Sequence, residues 1–353
     1  EAGILTSAAC KINEITWILT KLLGNILKVA LPFALGIGIL WWMYRGVDWA
    51  DFWRIITSEL NWGWMMVSLA FGVVPQVFRA LRWRMTLQPI GEEARPRTCI
   101  NAIFLSYAAS LVIPRVGEVT RCGTLKKMDG VSFSKSIGTV VTERIVDSLL
   151  MLLIAGVAFA SQLPVFLKFL NETGTDLHGL LNRFTSTGYL VTVLCIVLAI
   201  AICGSLLFRY KMFAQGREKV MSLWEGIGSL RRVKRPWLYW FYSIGIWGAY
   251  FLHFYLAFFC FDFTAGINPW AALLIFSAGS FAVLVPTPNG AGSWPFAVKT
   301  MLVLYGVAEA PAVMFALVVH TIQTALVILL GAWGWADLNR MEVSPKVTIE
   351  NIH

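Results

Sequence analysis

The sequence predicts an all-α, polytopic helical membrane protein with six full spans, two re-entrant helical hairpins and inverted-topology repeats. Three observations carry this. Of 353 residues, 58% are hydrophobic and 14% charged, where a soluble domain has about 25% charged, and the mean hydropathy is +0.68. Long apolar segments recur between short polar links, and the basic residues gather on alternate links. Two further apolar segments are too short to cross a membrane comfortably and break at Pro- and Gly-containing turns, at 111–121 and 285–295.

The composition also limits partners. The formal charge of +9 comes from Arg and Lys beside apolar segments, where anionic lipid headgroups are the natural counterpart and nucleic acid is not. Sixteen Trp, 23 Phe and nine Tyr suit aromatic belts at both interfaces. None of the six cysteines forms a CxxC pair, so neither a disulfide framework nor a metal site is expected, and no cofactor. Residues 1–25 are mixed and partly polar and do not read as a cleavable leader. The chain opens at Glu1 and not at Met, so a few native residues are expected to be missing or replaced there.

Taken in order, residues 11–28 alternate apolar and charged positions and read either as an amphipathic surface helix or as a polar tail. Segment 26–44 is the first expected span, ending in Trp41, Trp42 and Tyr44. Segment 60–78 is the second, and Arg79, Arg82, Arg84, Arg95 and Arg97 follow it. By the positive-inside rule that end is cytoplasmic, as are both termini. Segment 99–113 then breaks at Pro114-Arg115-Val116-Gly117-Glu118 and returns to Lys126 and Lys127. Both flanks are basic, which favours entry and exit on one side; an ordinary loop between two full spans is the alternative.

Segment 136–160 is the third full span. Glu143 and Asp147 are four apart and share a helix face, and Arg144 lies within pairing distance of Asp147 along the helix. Residues 161–188 form an external connection, 189–208 a fourth span, 209–236 a basic cytoplasmic loop and 237–260 a fifth span containing His253. A second short segment, 270–285, breaks at 285–295, and 311–333 is the last span, with His320 and Gln323 on one face. Hydrogen bonds between helices explain His253, His320 and Gln323 as well as a binding role does. The order span, span, hairpin, span then occurs twice, in 26–160 and 189–333, with opposite starting sides. Inverted repeats place discontinuous helices and their binding site near the midplane. Arg115 and Arg121 would there offer charge-assisted bonds to an anion. Eight full spans is the competing count.

Four motifs carry a resemblance. Pro114-Arg115-Val116-Gly117-Glu118-Val119-Thr120-Arg121 resembles the Pro-x-x-Gly-Glu-x-x-Arg motif of the flippase-like membrane domain of lysylphosphatidylglycerol synthases. Glu143-Arg144-Ile145-Val146-Asp147 is similar to its Glu-Arg-x-x-Asp motif, and Arg82-Trp83-Arg84 to its Arg-Trp-Arg. Pro286-Thr287-Pro288-Asn289-Gly290-Ala291-Gly292 is similar to its Pro-x-Pro-Gly-Gly-x-Gly motif. The likeness covers roughly residues 20–335. Asn289 stands where the family commonly has Gly, and Pro295 where it often has Glu. No sequence after residue 335 could form the family's soluble aminoacyl-transferase domain. The resemblance implies a stand-alone lipid-translocating membrane domain.

The site expected from motifs and spacing is a substrate-binding one: Arg115, Glu118, Arg121, Glu143, Arg144, Asp147, Asn289, Gly290 and Gly292. Arg82, Arg84, His253, His320 and Gln323 are secondary candidates, and no catalytic or metal-binding residue is assigned. The leading expectation is a translocator of an anionic phospholipid, an aminoacylated lipid or a polyprenyl phosphate in a bacterial or archaeal cytoplasmic membrane. Membrane lipids are its partners, with protons and a second copy of the chain as further ones. The alternatives are a membrane-embedded transferase using Glu118 or Glu143 as general base, and an accessory subunit of envelope lipid synthesis.

Overall fold

The computed structural model describes residues 34, 36–46, 49–113, 116–163, 233–285 and 287–343. Within them the fold is all-α. A helical stretch at 36–44 is followed by α1 (Trp49–Arg54), a π-helical turn (Ile55–Glu59) and α2 (Trp62–Leu87). Next come α3 (Pro96–Val112), α4 (Gly117–Asp129) and α5 (Phe133–Ser161). The later part holds α6 (Pro236–Phe258), α7 (Asp262–Ala265), α8 (Pro269–Ala282), α9 (Ser293–Leu304) and α10 (Glu309–Arg340).

Helix starts follow the local chemistry. The Asn61 side chain accepts from the Trp64 N–H at 3.3 Å and caps α2, and the Asn268 side chain accepts from the Ala271 N–H at 2.9 Å and caps α8. Each satisfies one of the orphan donors of a first turn. Helices α3, α6 and α8 begin with Pro, whose missing N–H costs nothing there. Gly130 ends α4 at φ +66°, a left-handed position that glycine fills without a Cβ clash.

Helices α2 and α6 pack antiparallel. Phe78 lies against Gly245, and further along Ser68 meets His253. Helices α3 and α10 run antiparallel as well, with Asn101 bonded to Asp337 and Ala108 against Gly331. Two apolar clusters result. One joins α6, α8, α9 and α10 through Phe254, Phe258, Ile275, Leu302 and Phe315. The other joins α2 to α5 through Trp83, Leu87, Ile103, Leu125 and Val140.

Among the described residues, four helices are long and apolar enough to cross a membrane: Trp62–Ile90, Phe133–Ser161, Pro236–Phe258 and Glu309–Arg340. This corrects the expectation of six spans and two re-entrant hairpins. A full passage takes about 20 apolar residues. Helices α3 and α8, with 17 and 14 residues, fall short of that. Helix α4 is shorter still and carries Glu118, Arg121, Lys126, Lys127 and Asp129. Expected span 189–208 lies outside the described residues, and 26–44 is described as helix only across 36–44 and at 34. The expected inverted repeats, 26–160 and 189–333, rested on that count. The amphipathic segment 11–28, nearly all of the connection 161–188 and most of the loop 209–236 also lie outside the described residues.

One end of the bundle is strongly basic. There Arg95 pairs with Asp129, joining the start of α3 to the end of α4. Lys135 pairs with Glu92, holding the start of α5 beside the α2–α3 link, and Arg97 pairs with Asp337 near the end of α10. At the opposite end the Tyr305 hydroxyl donates to Gln162 Oε1 at 3.0 Å, tying the segment after α9 to the end of α5.

Candidate functional site

The apolar run that suggests the second span stops at residue 78, but α2 continues to Leu87. Arg79 and Arg82 therefore lie inside the membrane-length helix and not in a flanking link. Three residues apart, they share one face, and that face turns towards α5. Glu143 and Asp147 on α5 meet them. Arg82 Nη1 stands 2.7 Å from Asp147 Oδ1, and Arg82 Nε stands 3.7 Å from Glu143 Oε1. Arg79 Nη2 lies 3.4 Å from Asp147 Oδ2. From α4, Arg121 Nη1 donates to Glu143 Oε2 at 2.9 Å.

These side chains are removed from solvent: Arg82 is 0% exposed, Glu143 1%, Arg121 2%, and Arg79 and Asp147 6% each. Aromatic rings complete their surroundings. The Arg121 guanidinium lies 4.7 Å from the centroid of Trp83, and Arg82 lies 5.8 Å from that of Tyr239. Such contacts gain strength where water is excluded. Trp83 Nε1 donates to Thr139 Oγ1 at 3.0 Å, which fixes the ring under Arg121.

The charges do not balance. Among the described residues, three guanidiniums face two carboxylates, leaving one net positive charge in the cluster. Several groups also lack a hydrogen-bond partner: the donors Arg79 Nε, Arg82 Nε and Nη2, and Arg121 Nη2, and the acceptors Glu143 Oε1 and Asp147 Oδ1. A buried charge without a counter-ion is costly, and an anion supplies both the missing charge and the missing acceptors. The cluster is also deep. Asp147 stands about 21 Å along the α5 axis from Phe133.

A polar chain leads away from it. Arg79 Nη1 donates to the Tyr107 hydroxyl, which lies 3.0 Å from the Tyr250 hydroxyl, and Gln76 Nε2 donates to Tyr250 at 3.2 Å. Gln76, Tyr107 and Tyr250 line a cavity of about 300 Å³ between α2, α3, α6, α8, α9 and α10.

The expected site residues separate into groups. Arg121, Glu143, Asp147 and the secondary candidate Arg82 come together. Glu118 and Arg144 pair with each other, at 2.6 Å, on a face where both side chains are about half exposed. Arg144 follows Glu143 and so points about 100° away around the helix. Arg84 leaves the cluster, and its Nε donates to the Ala94 carbonyl at 3.0 Å. Arg115 and Pro114 lie outside the described residues.

The second turn stands apart from the arginines. Asn289 adopts φ +52°, between Pro288 and the glycines Gly290 and Gly292, which also have positive φ. Asn tolerates this region better than most residues, so the turn survives without Gly at that position. Asn289 Nδ2 donates to Thr324 Oγ1 at 2.9 Å, and His320 Nε2 donates to the Asn289 carbonyl at 3.3 Å. Pro295 is buried in the first turn of α9. His253 Nδ1 donates to the Ser68 carbonyl at 2.6 Å, a bond between α6 and α2, while the ring also borders the cavity with His320 and Gln323.

Arg79, Gln76, Tyr107 and Tyr250 were not among the residues expected from sequence. The spacing of Arg79 and Arg82 was a usable signal, since two arginines on one helix face point the same way. Tyr107 and Tyr250 offered none, because 143 residues separate them.

A family model described as the lysylphosphatidylglycerol synthase TM region matches residues 29–331. Searches of curated proteins and of solved structures gave no match.

Proposed function

Since the chain belongs to the lysylphosphatidylglycerol synthase TM region family, a family of lipid-handling membrane domains, we propose that it binds and translocates a membrane lipid with an anionic headgroup. The observation that carries this is the buried surplus of arginine. Arg79, Arg82 and Arg121 outnumber Glu143 and Asp147 and keep free N–H groups in the basic half of the helix bundle. A phosphate oxygen entering here competes with the carboxylates for donors that are already oriented. Arg is suited to this, because its planar fork can bind a phosphate through two parallel bonds. In the unloaded protein the two acids hold the guanidiniums in place, which limits the cost of burying them. Polar groups buried in membrane helices mark substrate paths by default.

The ion pairing favours transport over transferase chemistry. A general base needs a carboxylate within reach of a substrate proton and a pKa near the operating pH. Both Glu143 and Asp147 are already engaged by arginine, so neither carboxylate stands free to meet a substrate proton. The basic end, with Arg95, Arg97, Lys126, Lys127 and Arg340, belongs on the cytoplasmic side of the inner membrane by the positive-inside rule.

Reconstitution tests the proposal. The purified chain in vesicles should speed leaflet exchange of a fluorescent anionic phospholipid, and Arg82→Gln should reduce that rate at least about tenfold. Lys299→Gln, which removes an ion pair with Glu309 away from the cluster, should leave it unaltered. Equal exchange in vesicles with and without protein would reject translocation. Equal exchange by Arg82→Gln and wild type would reject this site.

A further inference from the structure

Helices α4 and α5 meet in two ion pairs of opposite exposure. Arg121 with Glu143 is buried, while the side chains of Arg144 and Glu118 are 47% and 40% exposed. The charges are reversed between the pairs. Helix α4 supplies the acid of the exposed pair and the base of the buried one, and α5 does the opposite. Both pairs belong to one seam, because Glu118 and Arg121 stand three residues apart on α4, as Arg144 and Asp147 do on α5.

The exposed pair is also deep. Arg144 stands about 16 Å along the α5 axis from Phe133, and Glu118 about 16 Å along α4 from Asp129. Phe133 and Asp129 lie at the basic end, where Arg95 and Lys135 make their pairs. The interfacial layer takes up about 5–8 Å of that distance, which leaves the pair roughly 10 Å inside the hydrocarbon layer. Charged groups facing lipid tails at that depth are expensive and call for a polar partner. The surface of α5 shows where one fits. Val141, Ile145 and Leu149, four apart, present an exposed aliphatic stripe. Arg144 and Ser148, also four apart and exposed, present a polar stripe beside it. A polar stripe bordered by an aliphatic one suits an amphiphile, with its headgroup on the first and its tails on the second.

We propose that this seam is the side entrance of the anion site. The phosphate of an anionic lipid headgroup first meets Arg144, displaces Glu118 from it, and passes to Arg121 one helical turn further along the seam. An exposed pair is weak, so exchanging Glu118 for a phosphate costs little, whereas Glu143 holds Arg121 in the interior. This deepens the anion-binding reading above and rests on it.

Two measurements on the full chain in phosphatidylcholine vesicles test the entrance. In the first, cysteine variants meet a charged, water-soluble maleimide, and labelling is located by peptide mass spectrometry. Ile145 is the control, since it stands at the same depth, 48% exposed, on the aliphatic stripe. Arg144→Cys should react at least about tenfold faster than Ile145→Cys, because the thiolate forms only where water reaches it. Equal reaction of the two, fast or slow, overturns the entrance.

In the second, leaflet exchange of a fluorescent phosphatidic acid is followed as its mole fraction rises. Arg144→Gln should raise the half-saturating fraction about tenfold, the scale of one charge-assisted bond, and Arg144→Lys should regain part of the loss. Glu118→Gln releases Arg144 from its counter-ion and should lower that fraction. Opposite shifts from the two partners mark a binding role, since loss of either partner of a merely structural pair acts in the same direction. Shifts of the same sign, or none, overturn the entrance, while loss of exchange in Arg82→Gln keeps the buried site standing. Exchange no faster than in protein-free vesicles rejects translocation itself, and the cysteine comparison then decides the entrance alone.

Discussion

Arg121 on α4 and Glu143 on α5 form an ion pair of 2.9 Å in which both side chains are 2% exposed. The pair fastens a short polar helix to a membrane-length apolar one. It also connects two networks, because Glu143 faces Arg82 at 3.7 Å, and Arg82 in turn holds Asp147. Movement of α4 against α5 therefore changes which acceptors the α2 arginines have. An anion arriving at the cluster would act on the same contacts, which is how ligand entry and helix position can be linked.

The first prediction follows from that geometry. Removing one partner of a buried pair leaves the other charge unmatched, at a cost of about 3–5 kcal/mol. Glu143→Gln is expected to be the more damaging change, since it leaves Arg121 and Arg82 with one carboxylate fewer. The double variant Arg121→Leu/Glu143→Gln, set beside Arg121→Leu alone, should recover part of the loss. Thermal unfolding of the detergent-solubilised protein, analysed as a double-mutant cycle, measures the coupling. Additive effects of the two changes would show that the pair does not act as a unit.

The Arg144–Glu118 pair provides the contrast. Its bond is short, at 2.6 Å, but its side chains are 47% and 40% exposed. An exposed pair contributes about 0–1 kcal/mol. Arg144→Ala should therefore change stability by less than about 1 kcal/mol in the same unfolding assay. A loss as large as that of Glu143→Gln would mean that the pair is covered in the membrane.

Part of the buried charge cluster was legible before the structure, and the gaps have physical causes. The i, i+4 spacing of Glu143 and Asp147 placed them correctly on one face. Arg121 was marked by its place after a Gly-Glu break, and Arg82 by its tripeptide. Arg79 was assigned to a basic flank because hydropathy drops at residue 78 while the helix does not end there. A helix persists through charged residues when tertiary partners satisfy them, and those partners are far away in sequence. Arg144 was grouped with Asp147 by proximity along the chain, yet its direction around the helix takes it to Glu118. The number of spans was also misjudged. The expected six included 26–44 and 189–208, read as spans from apolar length, whereas the described residues hold four helices of membrane length.

Close helix contacts give a third prediction. At Gly331 an added Cβ would collide with the Ala108 side chain, where α10 crosses α3. Overpacking of this kind costs about 1–3 kcal/mol. Gly331→Ala should destabilise the protein by that amount, and Ala108→Gly in the same chain should restore most of it. The unfolding midpoint of the single and double variants decides the matter. No rescue would indicate that the loss comes from elsewhere on α10.

The last prediction concerns pH and the thiols. Burial pushes the thiols of Cys99 and Cys260 up to about 12, with Asp129 adding to the effect at Cys99. Both cysteines are free, and each is 1% exposed or less. In the unfolded chain a cysteine titrates near about 8.5. The folded state thus holds these protons more tightly, and the associated stability is present in full below about pH 8.5. It is lost as pH rises from there towards the folded value of about 12, because the unfolded thiols ionise first. Stability measured from pH 7.5 to pH 10 should fall, and the fall should be shallower in Cys99→Ala and Cys260→Ala than in the parent. Alkylation located by peptide mass spectrometry provides an independent check. At pH 8, Cys99 and Cys260 should resist maleimide in the folded protein and react once it is unfolded in detergent. Rapid labelling of either in the native state would show that its helix opens, and would remove the basis for the pH dependence at that position.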